Sequence, residues 1–288
     1  MRKRTKVTGF IFLVMAGLYA AVCVYYYLLQ YRLIYTPENH TLQYAENELK
    51  QSDMQFWPTV DNNYWGIHRK SISDTSKGTV LFYHGDGPSA LNCQFVIKPL
   101  ENMGFHVLVL EYPGYGAREG KINEETLVNA CLKSTQLASE QFGQPIYFVA
   151  NSLGAGVACA VAGRTTVPVK GLLLIAPWDS LSNLVQEVCW YLPAKLLVKD
   201  KYDSMLNLRG YEGNVGIVMA GKDKLIPKNM TENLYNNLEC PKCLWVLEQS
   251  EHHNWPDYMN DDWWRKTMSF IAGIDRAEDR TTIAPIER

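Results

Sequence analysis

The sequence predicts an α/β protein: a mostly parallel sheet with helices on both faces and a small lid, preceded by one apolar helix. Three observations lead there. Short, continuous apolar runs alternate with segments of helical spacing, as strands buried on both faces and their covering helices do. Those runs close on turn residues, among them His84-Gly85-Asp86-Gly87, Pro113-Gly114-Tyr115-Gly116 and Ala176-Pro177. Ahead of them, residues 10–29 form an uninterrupted stretch without a charge.

That stretch comes first in the chain. At about 1.5 Å per residue it spans roughly 30 Å, the thickness of a bilayer core. Arg2, Lys3, Arg4 and Lys6 precede it, so a cleaved signal peptide and a retained anchor compete. The run exceeds the usual apolar region of a signal peptide and ends in Val24-Tyr25-Tyr26-Tyr27, with no small-x-small cleavage site. Cys23 follows Val22 rather than the small residue a lipoprotein signal needs. The reading taken is a transmembrane anchor at 10–29 behind a basic cytoplasmic tail at 1–9, with tyrosines at the far interface. The domain at 30–275 then lies on the exported side, periplasmic, luminal or extracellular, and 276–288 form a polar C-terminal tail.

After a lead-in, Gln30-Tyr31-Arg32-Leu33-Ile34-Tyr35-Thr36-Pro37, and a polar stretch over 38–53, the alternation begins. Strands are expected at 79–83, 105–112, 147–151, 171–175, 215–220 and 244–247, and helices at 90–103, 124–142 and 154–162. Segment 178–211 is longer than a crossover needs. Its apolar stripe (Leu181, Leu184, Val185, Val188, Tyr191, Leu192) suits either an ordinary packing helix or a lid over a site. A second aromatic group, Trp255, Tyr258, Trp263 and Trp264, suits either a core or an acyl-guiding surface.

With 288 residues and 47% hydrophobic content, the chain can bury one large core. Net charge is −2, and without the four N-terminal cations the remainder carries −6, which is no footprint for nucleic acid. Cys240-Pro241-Lys242-Cys243 with His252 and His253 raises a zinc site, but the spacing is short and no second CxxC exists. A local disulfide or two free thiols remain for that pair.

Ser152 carries the chemistry. A strand ends at Ala150-Asn151, Ser152 follows, and Leu153-Gly154-Ala155-Gly156 opens a helix of small residues. Strand–turn–helix around a serine is the nucleophile elbow, where a strained turn lifts the hydroxyl above a sheet. Gly154 is one of the two small residues the turn needs, and Ala150 replaces the usual first glycine. A serine needs a base, an orienting acid and oxyanion donors. Asp223 follows one later strand, and His252-His253 follows another. Asp179 also ends a strand and competes as the acid, and spacing does not separate His252 from His253. Backbone N–H groups of Leu153 and of Asp86 are the oxyanion candidates; His84 fits loop shaping rather than catalysis. No cofactor is called for, and the third glycine of a nucleotide fingerprint falls on Cys159.

His84-Gly85-Asp86-Gly87, Glu111-Tyr112-Pro113-Gly114-Tyr115-Gly116, Ala150-Asn151-Ser152-Leu153-Gly154, Gly221-Lys222-Asp223-Lys224-Leu225-Ile226-Pro227 and His253-Asn254 resemble motifs of the α/β-hydrolase superfamily over residues 31–271. With the anchor and lead-in, the chain resembles the membrane-anchored branch related to depalmitoylating and aminopeptidase-like serine hydrolases. The resemblance implies a catalytic set of Ser152, Asp223 and His253, the histidine typically preceding Asn. Ala150 for Gly and Glu111 for the commoner Asp are departures that remove no catalytic group. The expected function is ester or thioester hydrolysis of a small-molecule or lipid-like acyl substrate through an acyl-enzyme. Amide cleavage and a non-catalytic anchored binding module are the alternatives.

Overall fold

The computed structural model describes residues 2–58, 64–69, 76–274 and 280–283. Among the described residues nine strands form one sheet: β1 (Met54–Trp57), β2 (Gly66–Arg69), β3 (Thr79–Tyr83), β4 (His106–Leu110), β5 (Ile146–Asn151), β6 (Val169–Ile175), β7 (Asn214–Ala220), β8 (Lys242–Leu247) and β9 (Arg280–Ile283). Their order is β1-β2-β4-β3-β5-β6-β7-β8-β9. β1 and β2 pair antiparallel, as do β2 and β4; every other pairing is parallel.

The parallel strands are apolar on both faces because both faces are covered. In β3, Leu81 and Tyr83 enter one core and Val80 and Phe82 the other. The first core is closed by α4 (Glu124–Phe142), α5 (Leu153–Ala162) and α9 (Lys228–Asn237). The second is closed by α2 (Leu42–Gln51), the 3-10 turn Ala90–Val96, α3 (Ile97–Asn102) and α10 (Asp261–Ile271). Start signals in the sequence are used as caps: Asn123 and Thr126 form a capping box on α4, and Asn260 accepts from the Trp263 N–H.

Several expectations need restating. The 38–53 stretch contains α2, and the β1–β2 hairpin edge was not anticipated. Trp263 and Trp264 of α10 are core residues. Arg280–Ile283 falls in the expected polar tail but adds a parallel strand against β8; the rest of 276–288 lies outside the described residues. Cys240 packs against one core while Cys243 belongs to the other, so the sheet separates two thiols that are both free.

At the N-terminus, α1 (Arg2–Ile34) runs as one helix. Its Lys6–Ile34 portion is long and apolar enough to cross a membrane. Segment 178–211 folds into α6 (Leu181–Val188), α7 (Ala194–Leu197) and α8 (Ser204–Asn207), a small cap over the carboxyl ends of the strands. Its base is fixed to the chain after α1, where the Tyr35 hydroxyl donates to Asp200 at 2.5 Å and lies 3.0 Å from that of Tyr202.

Candidate active site

Three loops leave the carboxyl ends of β5, β7 and β8, and their side chains meet above the sheet, where α/β sheets bind ligands. Ser152 stands between β5 and α5 at φ 52°, ψ −118°, a left-handed conformation unfavourable for a residue with a Cβ. The turn is tight. A Cβ on Gly154 would come within 2.3 Å of the Tyr83 carbonyl oxygen and 2.5 Å of that of His84. Glycine is therefore demanded by the approach of α5 to the end of β3.

The Ser152 Oγ lies 2.9 Å from His252 Nε2, and His252 Nδ1 lies 2.7 Å from Asp223 Oδ2. Asp223 Oδ1 accepts from the N–H groups of Leu225 (2.8 Å) and Ile226 (2.9 Å). Burial works against the Asp223 charge, but the contact with His252 and the two backbone donors outweigh it and hold this carboxyl below its usual range. An ionised Asp223 only accepts hydrogen bonds, which assigns the proton to Nδ1 and leaves Nε2 to accept from the serine.

The expected histidine is corrected here. His252, only 5% exposed, occupies the position between Ser152 and Asp223; His253 is exposed, its ring at 88° to that of His252. Successive residues of the loop after β8 point in different directions, and the carboxylate loop after β7 meets the first ring. The alternative acid, Asp179, is engaged elsewhere, accepting from the Ser180 N–H and from the Asn183 and Asn233 side chains.

The Asp86 loop is braced by three hydrogen bonds from two residues. Tyr115 donates its hydroxyl to the Asp86 carbonyl at 2.9 Å, the Thr36 N–H donates to the same oxygen at 3.1 Å, and the Thr36 hydroxyl donates to the Asp86 carboxylate at 3.2 Å. Beneath it His84, fully buried, lies 3.3 Å from Glu111 and packs against Tyr112, ring centroids 4.1 Å apart and planes tilted by 43°. Glu111 also accepts from Tyr64 and from the Ala90 N–H. In sequence Glu111 was only a departure from a motif; its signal was a carboxylate ending an otherwise apolar strand.

Two cavities meet at the serine. One, of about 430 Å³, has Ser152, Leu153, Asp86 and His252 at its floor. Its walls are apolar: Leu181, Leu184, Val185 and Val188 of α6, and Leu33 and Ile34 of α1. The second, of about 410 Å³, shares Asp86, Ser152, Leu225 and His252 and continues toward Asn92, Phe95, His253 and Trp255. Among the described residues no group of three or more His, Cys, Asp or Glu is placed to hold a metal ion.

Known proteins share this architecture. An esterase of Pyrococcus furiosus superposes with a TM-score of 0.59 at 17% identity, covering 82% of this chain and 94% of its own. A monoacylglycerol lipase of Paleococcus ferrophilus superposes with a TM-score of 0.53 at 16% identity, covering 71% and 97%. The chain has the α/β-hydrolase fold. The family described as "Serine aminopeptidase, S33" matches residues 74–210 of this chain, which include Ser152 and end before Asp223 and His252. In sequence the chain is 26% identical to an uncharacterized protein of Mycobacterium tuberculosis over 84% of this chain and 86% of that one. It is 25% identical to a lysophosphatidylserine lipase of Danio rerio over 69% of this chain and 59% of that longer relative.

Proposed function

We propose that this α/β-hydrolase is a membrane-anchored serine hydrolase that cleaves an ester or thioester of a lipid-like acyl group through an acyl-enzyme on Ser152. The observation that carries the reading is the unbroken Ser152–His252–Asp223 chain of contacts, 2.9 and 2.7 Å, at the floor of an apolar cavity. In the reaction, the Ser152 Oγ attacks the carbonyl carbon while its proton passes to His252 Nε2. The oxyanion is held by the N–H groups of Leu153, at the start of α5, and Asp86. Collapse releases the alcohol or thiol, which takes the proton from His252; water then repeats the sequence and frees the acid. Asp223, kept ionised, holds the ring in its tautomer and stabilises the imidazolium.

The two cavities divide the substrate. The apolar one takes the acyl chain, each methylene adding about 0.8 kcal/mol of burial. The second, with Asn92 and His253, takes the alcohol or thiol portion. The naming of one relative as a lysophosphatidylserine lipase points the same way, while the family description points to amide cleavage; an apolar wall favours an alkyl chain over an α-ammonium group. Residues of α1 supply the anchor, and the cations in its first turns, ahead of residue 10, keep the N-terminus cytoplasmic and the site on the exported face.

A fluorophosphonate probe should label the wild type and not Ser152→Ala. p-Nitrophenyl esters of two to twelve carbons, run beside an aminoacyl anilide, should show kcat/KM rising with chain length and little amide turnover. Labelling retained in Ser152→Ala would sink the nucleophile assignment, and a profile that falls beyond four carbons would sink the lipid-like substrate.

A further inference from the structure

The apolar cavity is not closed by the catalytic domain alone. Tyr26, Gln30, Leu33 and Ile34 line it, and their spacing of four, three and one puts them on a single stripe of α1. The same stripe makes the polar contacts between α1 and the cap. Gln30, 6% exposed, accepts from the Lys199 N–H at 2.7 Å and donates to the Leu197 carbonyl at 3.2 Å. The Tyr26 hydroxyl lies 3.1 Å from that of Tyr191, and the Tyr19 hydroxyl donates to the Tyr191 carbonyl at 2.9 Å. A buried carboxamide is costly unless paired, and here the cap pairs it.

These contacts fix the depth of the cap. Tyr19 and Tyr26 precede Leu29, the end of the expected membrane span, by about 15 and 5 Å along a helix. A bilayer core extends roughly 15 Å from its surface to its midplane. The tip of the cap, held beside Tyr19 and Tyr26, therefore sits at leaflet depth. Its surface matches that placement: Trp190 is 79% exposed, Leu196 85%, Val188 59% and Tyr191 43%. Lys199 reaches back with its ammonium 4.1 Å from the Tyr27 ring, as a cation does when it seeks the headgroup level.

Resting on the reading of Ser152 as an acyl-accepting nucleophile, we infer that α1 is a wall of the substrate site as well as an anchor. The cap tip around Trp190 and Leu196 is sunk in the leaflet beside it, so the acyl chain reaches Ser152 from the lipid between α1 and α6. The occupant of the exposed apolar face is phospholipid acyl chain, because that face is continuous with a helix of membrane-spanning length.

Two measurements on the full chain in phosphatidylcholine vesicles test this. The first compares tryptophan emission of wild type and Trp190→Phe in ordinary lipid and in lipid brominated at acyl carbons 6 and 7. The Trp190 component, taken by difference, should fall at least twofold in the brominated vesicles. Equal emission in both lipids overturns the placement, and a change that follows protein density instead assigns the face to a second copy of the chain and overturns it too. The second reads chain-length selectivity. Ile34→Trp narrows the wall and should lower kcat/KM for a dodecanoyl ester at least tenfold more than for a butanoyl ester, while Leu33→Ala should move the preference to longer chains. Equal effects on both esters in both variants overturn the wall. If the wild type hydrolyses neither ester, the nucleophile reading has failed, and the quenching result still decides where the cap lies.

Discussion

His252 and His253 share a loop, a residue type and a peptide bond, yet one lies between Ser152 and Asp223 while the other is exposed beside the second cavity. Ser152→Ala, His252→Ala and Asp223→Asn are each expected to lower kcat by about 10⁴. Pairwise combinations should cost little more than the single changes, because the three act as a unit. His253→Ala should raise KM and change kcat less than about tenfold. Steady-state kinetics on the four variants settle the assignment, and a dead His253→Ala beside an active His252→Ala would reverse it. A second histidine has a different consequence. Burial, with His106 beside it, lowers the pKa of His68 to about 4, and its Nε2 lies 3.1 Å from Gln55 Nε2 across the β1–β2 pair. The unfolded chain then binds the proton first, near its ordinary value of about 6.5, so stability is complete above that pH and falls as pH drops toward 4. The loss should be about 2 kcal/mol after allowance for solvent screening near the sheet edge. Urea midpoints measured from pH 7 to 5 should fall more steeply for wild type than for His68→Gln; parallel profiles would refute it.

At the scale of elements, the elbow depends on how closely α5 can approach β3. Gly154→Ala would drive a methyl against the Tyr83 and His84 carbonyl oxygens. It should destabilise by about 1–3 kcal/mol and abolish fluorophosphonate labelling, since the turn carrying Ser152 must shift. Gly87→Ala is the control: its new methyl would come no nearer than 3.7 Å to Thr36, and thermal unfolding should be within about 0.5 kcal/mol of wild type. Unimpaired labelling of Gly154→Ala would show that the turn tolerates the displacement. The cap behaves differently from the two uses considered for its stripe. Leu181 and Leu184 join a core and, together with Val185 and Val188 of the same helix, line the cavity, so one helix both packs and covers. Periodicity showed the stripe but not that it faces a core and a cavity at once.

For the whole molecule, the cations ahead of residue 10 and the length of α1 predict an N-terminus inside and a catalytic domain outside. Protease added to sealed cells or right-side-out vesicles should digest the domain while leaving an α1 fragment, and complete protection would invert the topology. Local pattern alone carried most of the architecture. Apolar strands, capped helices and the strand–turn–helix at Ser152 are short-range signals, because strand burial, helix spacing and a glycine forced by close approach are written within a few residues. The order of Ser152, Asp223 and a histidine along the chain was legible for the same reason. Which of two adjacent rings meets Asp223, the bracing of His84 by Glu111, the separation of Cys240 from Cys243 by the sheet, and the use of Gln30, Leu33 and Ile34 as a cavity wall were decided only by tertiary structure. Each of these joins segments tens of residues apart or turns on a rotation about a few backbone bonds, and neither the distance nor the rotation leaves a periodic mark in the sequence.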